Sequence, residues 1–145
     1  DEIPEIKKEF INDNSFIDEI MKPPYCYYNC LKHLIEDKRI NGLVNIAGFG
    51  IPRSVERIIP DGLSAIIDLS KIDIPMIFKC LKHYLNVNDH EMLNTFNCGV
   101  GYIVIVSEKN EKMILEHINK YYYCSKIGVI EKGEEKIKFL NSLNW

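Results

Sequence analysis

The sequence predicts a mixed α+β sandwich, and three observations carry that expectation. Segments with the 3.6-residue apolar period of amphipathic helices alternate, not quite strictly, with short segments of strand length. Gly, Pro and Asn punctuate most of the boundaries between them. The chain of 145 residues is 46% apolar and 27% charged, a globular balance at a length that buries a core without disulfide or metal staples.

The elements follow in order. Residues 1–22 carry Ile6, Phe10, Ile11, Phe16, Ile17 and Ile20 around Asn12-Asp13-Asn14, which predicts two short helices forming a lead-in to a domain over 23–145. Pro23-Pro24 breaks the chain, because proline forbids the helical hydrogen bond and restricts the residue before it. Cys26 to Lys38 reads as a helix with Tyr27, Leu31, Leu34 and Ile35 on one face, ended by Asn41-Gly42. Leu43–Ala47 reads as a short buried strand. After Gly48-Phe49-Gly50, a helix is expected over about 52–59, with Pro52 in its first turn. It stops at Pro60-Asp61-Gly62, a turn signature.

Leu63–Leu69 alternates, with Leu63, Ala65, Ile67 and Leu69 on one face and Ser64 and Asp68 on the other, as in a half-buried strand. Asp73 is expected to cap a helix holding Pro75 in its first turn and the stripe Ile77, Phe78, Leu81, Tyr84 and Leu85. A short helix near Asp89–Asn94 leads to the loop Phe96–Gly101. Tyr102–Val106 is continuously apolar and β-branched, the mark of a central strand. Residues 108–122 predict a helix burying Ile114, Leu115, Ile118, Tyr121 and Tyr122. Ile127–Ile130 and Ile137–Leu140 predict two closing strands around Gly133.

The formal charge is -3 and the pI about 5.8. That excludes nonspecific nucleic-acid binding, which needs a basic face. No apolar run approaches the ~20 residues of a membrane span. Five cysteines, an odd number without a Cys-x-x-Cys pair, predict reduced thiols and a cytoplasmic protein. The absence of an initial Met suggests a processed chain or a domain cut from something longer.

Two loops carry candidate chemistry. In Asn45-Ile46-Ala47-Gly48-Phe49-Gly50-Ile51-Pro52-Arg53, a strand ends, glycines bend the backbone and a helix begins. Free amides at a helix N-terminus attract an anion, and Arg53 and Arg57, four apart, share a face there. The reading is a phosphate site at Asn45, Gly48, Gly50, Arg53 and Arg57. The alternative is a tight turn before a solvated basic helix, and the bulk of Phe49 opposes close backbone approach. In Thr95–Gly101, Gly99 and Gly101 let backbone approach a ligand or else form a bulge, and Asn97 hydrogen-bonds a ligand or else caps the adjacent turn. Cys98 has no basic neighbour in sequence and reads as a packed thiol. Cys30 and His33, or Cys80 and His83, are spaced to share a metal, but nothing marks the remaining ligands.

The run Asp89-His90-Glu91-Met92-Leu93-Asn94-Thr95-Phe96-Asn97-Cys98-Gly99-Val100-Gly101 closely resembles the signature in the carboxy-terminal half of aminoimidazole ribonucleotide (AIR) synthetases, also called phosphoribosylformylglycinamidine cyclo-ligases. Arg57–Leu63, Ile67-Asp68, Pro75–Phe78, Gly101–Val106 and Ile127–Ile130 agree in order and spacing, so the resemblance covers about residues 23–131. It implies a three-layer α/β/α sandwich with a mixed sheet. It also implies an ATP-dependent ring closure in purine synthesis, in which a formylglycinamidine ribonucleotide is activated as a phosphate ester and cyclised. ATP and Mg²⁺ would bind mainly in an amino-terminal half not present here, and the full-length protein would be a homodimer joined through that half. This chain alone would bind neither cofactor and would be inactive. The substrate ribonucleotide would lie against Asn45, Gly48, Gly50, Arg53, Arg57, Asn97, Gly99 and Gly101; no catalytic residue is implied. Where the family has His-x-Thr-Gly-Gly-Gly and then Glu-Asn, this chain has Asn45 to Gly50, then Arg53 and Ser54. That erosion supports a second expectation, a noncatalytic ligand-binding or interaction module on the same fold.

Overall fold

The computed structural model describes residues 10–11 and 14–145. The described residues form seven strands and six α-helices in the order β1 (Phe10–Ile11), β2 (Asn14–Ser15), α1 (Phe16–Ile20), α2 (Tyr28–Glu36), β3 (Gly42–Asn45), α3 (Gly50–Glu56) and β4 (Leu63–Asp68), followed by a 3₁₀ turn (Leu69–Lys71). Then come α4 (Met76–Leu85), α5 (Asp89–Thr95), β5 (Tyr102–Ile105), α6 (Glu108–Ile118), β6 (Gly128–Lys132) and β7 (Ile137–Leu140). The architecture is α+β, as expected.

The strands form three groups. β1 and β2 make a small antiparallel hairpin, β3 pairs antiparallel with β5, and β4 is the centre of a mixed sheet, antiparallel to β6 and parallel to β7. The β3–β5 ribbon lies between two apolar cores. Leu43, Tyr102 and Val104 face a core built from Cys30, Leu31 and Leu34 of α2 and Ile114 and Ile118 of α6. The alternate residues Val44, Ile103 and Ile105 face the main core of Ile51, Val55, Ile59, Ala65, Ile67, Ile72 and Leu93. Each such side chain contributes about 1.5–3 kcal/mol when fully buried.

This arrangement corrects the reading of Tyr102–Val106 as a central strand. Among the described residues β5 pairs with β3 alone, and its own residues are half-buried. They are continuously apolar because the two faces of one ribbon meet two different cores.

Other differences have equally local causes. In place of a helix before residue 15, the described residues show the β1–β2 pair, and α1 alone of them is helical; it starts with a capping box between Ser15 and Asp18. The rest of that expectation lies outside the described residues. α3 starts two residues before Pro52, which is tolerated because first-turn amides lack intrahelical acceptors. Asp73 caps nothing: α4 begins at Met76 after an extended Pro75, since Pro75 keeps Ile74 out of the helical region. Leu85 at its end is exposed. Ser64 is buried rather than solvated, its hydroxyl donating to the Glu135 carbonyl as the β6–β7 connection folds over it. α6 stops at Ile118, where the Asn119 amide donates to the Leu115 and Cys124 carbonyls and accepts from the Cys124 amide. Tyr121 is consequently exposed rather than buried, and Leu115 and Tyr122 are only half-buried.

Candidate functional site

Antiparallel pairing decides where the two glycine loops go. Asn45, the last residue of β3, stands opposite Tyr102, the first of β5, so the loop leaving β3 and the loop entering β5 emerge at the same end of the ribbon. The Ile46 amide donates to the Gly101 carbonyl at 3.0 Å and ties the loops together. Asn45, Ala47 and Gly48 are exposed there. A Cβ added to Gly48 would meet nothing within 4 Å, so this mouth is open. The Phe49 ring is 60% exposed and leaves it unplugged.

The other glycines are closed in by protein. Gly50 has φ +63°, and a Cβ there would lie 1.9 Å from the Leu93 carbonyl oxygen, so Gly50 is what lets α3 cross the backbone of α5. Gly99, at φ +91°, would meet the Pro75 ring at 2.3 Å, and Gly101 would meet the Tyr27 hydroxyl at 2.2 Å. Asn97 Oδ1 accepts from the Gly99 amide at 3.0 Å, and the Asn97 carbonyl accepts from the Val100 amide at 2.9 Å. The Asn97 side chain thus serves its own turn. Cys98 is fully buried, its thiol aimed at the Met92 carbonyl at 3.6 Å; burial, with the Asp89 charge adding to it, pushes the thiol up to about 11. A group held neutral in this way is no nucleophile near neutral pH.

The arginines stand away from the helix start that the sequence suggested. Because α3 begins at Gly50, Arg53 lies in its last turn and Arg57 is its C-terminal cap, where the helix dipole favours a cation. Among the described residues, neither guanidinium has a carboxylate within ion-pair distance. Arg53 lines a depression of about 440 Å³ between α3, α5 and β7, with Glu56, His90, Asn94, Leu93 and Phe139. The Asn94 amide donates to the His90 carbonyl at 2.8 Å and lies 3.2 Å from the His90 ring. Sequence reasoning did not bring Glu56 and His90 together. The signal was the glycine at 50, which seats one helix on the other, but its partner backbone lies more than forty positions away. Among the described residues no group of three His, Cys, Asp or Glu gathers to hold a metal ion. Cys30 is buried and His33 pairs with Glu36 at 3.3 Å.

The family model described as AIR synthase related protein, C-terminal domain, matches residues 5–140. A phosphoribosylformylglycinamidine cyclo-ligase of Geotalea daltonii is 36% identical over 103 residues, covering 71% of this chain and 30% of the relative. One from Geobacter metallireducens is 32% identical over 133 residues, covering 89% of this chain and 38% of the relative. The chloroplastic cyclo-ligase of Arabidopsis thaliana is 33% identical over 118 residues, covering 81% and 30%. The chain therefore spans about a third of the length of these curated relatives. With a family match over nearly its whole length, the chain belongs to the AIR synthase related protein C-terminal domain family.

Proposed function

We propose that this chain is the carboxy-terminal, substrate-side domain of a phosphoribosylformylglycinamidine cyclo-ligase. The observation that carries the reading is identity of 32–36% to proteins of that name across 71–89% of the chain. On this reading the longer protein closes the imidazole ring of aminoimidazole ribonucleotide in purine biosynthesis, with ATP and Mg²⁺ held by an amino-terminal half and two copies joined through it. The work is cytoplasmic, consistent with five free thiols among the described residues.

The ribonucleotide lies at the open mouth. Asn45 offers an exposed amide that both donates and accepts, and Gly48 admits a ligand against backbone. Gly50, Asn97, Gly99 and Gly101 shape that mouth from behind. Arg53 and Arg57 sit on the next helix and act on the phosphate as positive charges rather than as cap ligands. An amide at 45 orients a substrate but exchanges no proton near neutral pH, so Asn45 is not a proton-transfer group.

The test is made on the protein extended to include the amino-terminal half. It should release ADP from ATP only when formylglycinamidine ribonucleotide is added, whereas the 145-residue chain alone should release none. A protein with both halves that neither binds nor converts the ribonucleotide defeats the proposal. Binding without turnover supports the second reading, a noncatalytic phosphate-ligand module. That reading is favoured by one specific feature, the Arg53-Ser54 pair in place of the acidic and amide residues that the family resemblance implies.

A further inference from the structure

After β7 the chain is strapped down. Asn141 turns at φ +58°, and its side-chain amide donates to Asp68 Oδ1 at 2.8 Å. Leu143 is buried in the main core, and the Asn144 side-chain amide donates to the Ser70 carbonyl at 2.9 Å. Residues 141–145 thus cross the 3₁₀ turn and bring Trp145 to the joint between α4 and α5. There the indole Nε1 of Trp145 donates to Asp89 Oδ1 at 2.9 Å. The Lys82 ammonium donates to the same oxygen and lies 4.5 Å from the centre of the Trp145 ring.

Lys82 stands in the last turn of α4, and Asp89 is the first residue of α5. The three side chains therefore span the short connection 86–88 and fix the angle between the two helices. A carboxylate that accepts from two donors, one of them a cation over the other's ring, holds more firmly than an isolated exposed ion pair. That matters because no residue of α4 is fully buried, so core packing constrains this helix only in part. Both helices reach the loop at Asn97–Gly101. α5 runs into it. α4 meets it from the other side: the ring of Pro75, the N-cap of α4, lies against Gly99, and the Phe78 and Phe96 rings are 6.2 Å apart. The loop in turn is tied to the mouth, since the Gly101 carbonyl accepts from the Ile46 amide beside Asn45.

We propose that Trp145 is a positioning residue: with Lys82 and Asp89 it sets α4 against α5 and so places the Asn97–Gly101 wall of the candidate site. The proposal rests on the function given above and goes beyond it, because residues 141–145 lie outside the family match, which ends at 140. Trp145 acts through Asp89, not by contact with the ribonucleotide.

The test compares three substitutions. Trp145→Phe keeps a ring beside Lys82 and removes the N–H donor, Lys82→Met removes the cation, and Lys82→Arg keeps it. In amide proton–nitrogen spectra of the 145-residue chain, Trp145→Phe and Lys82→Met should both shift Asn97, Gly99, Val100 and Gly101. Lys82→Arg should leave those amides near their parent positions. In the protein extended to include the amino-terminal half, Trp145→Phe and Lys82→Met should raise the KM for formylglycinamidine ribonucleotide about threefold to tenfold, with kcat within about twofold of the parent. Unfolding at a lower temperature, with the 97–101 amides and KM unmoved, would show that the clasp only holds the fold and would overturn the proposal. Loop shifts as large in Lys82→Arg as in Lys82→Met also overturn it. An extended parent protein that does not turn over the ribonucleotide defeats the proposed function instead, and the loop shifts still decide whether Trp145 places the wall.

Discussion

The loop that leaves β3 and the loop that enters β5 are neighbours with the same composition, glycines beside an asparagine, and they do different work. In 45–50 one glycine is open to solvent and the other is pressed against a helix backbone. In 97–101 both glycines are closed in, by Pro75 and Tyr27, and the asparagine is used up in its own turn. A glycine signature therefore reports that something comes close to the backbone without saying whether it is a ligand or the protein itself. Only the first loop has room for a ligand.

Substitutions sharpen that contrast. The largest effect is expected for Gly50→Ala, which forces an L residue into positive φ and drives a methyl into the Leu93 carbonyl. Its cost should be about 3 kcal/mol or more in urea unfolding, and a loss under about 1 kcal/mol would show that α3 and α5 are not locked at this point.

Next comes Cys98. With its thiol at about 11, its thiolate fraction at pH 7 is about two orders of magnitude below that of an ordinary cysteine. Exposed Cys26 should accordingly be alkylated by iodoacetamide at least about a hundredfold faster, and comparable rates would place Cys98 at the surface. The same burial affects stability at high pH. The unfolded thiol loses its proton near 9 and the folded one only near 11, so the unfolded state binds fewer protons between them. Stability should fall as pH rises through that window and level off above it. Cys98→Ser should lessen the slope in a pH series of unfolding curves.

Asn97→Ala removes the acceptor for the Gly99 amide and should cost about 1 kcal/mol, with little change in ribonucleotide affinity. A tenfold affinity loss at unchanged stability would make Asn97 a ligand contact after all. The smallest stability change belongs to Gly48→Ala, expected within about 0.5 kcal/mol of the parent by thermal unfolding, because nothing stands near its Cβ position.

These contrasts also mark how far the sequence could be read. Helix periodicity located α2, α4 and α6, and the alternation in Leu63–Leu69 located β4, because each signal lies within one element. The family resemblance was legible in the run 89–101 for the same reason. What could not be read depended on a second element. Ser64 looked solvent-facing until the β6–β7 connection covered it, and Tyr102–Val106 looked central because two cores, not two strands, flank its ribbon. In the site, Asn45 and Gly48 stand exposed at the mouth, but the end of α3 on which Arg53 and Arg57 sit depended on the helix starting at Gly50 rather than Pro52. The Arg53–His90 depression was invisible because it exists only where α3 and α5 cross.

The most direct test of the account is backbone NMR on the extended protein during titration with formylglycinamidine ribonucleotide. The account predicts that the largest amide shifts fall at Asn45–Phe49, with smaller ones at Asn97–Gly99. Shifts concentrated at 97–99, with Asn45 and Gly48 unmoved, would contradict it.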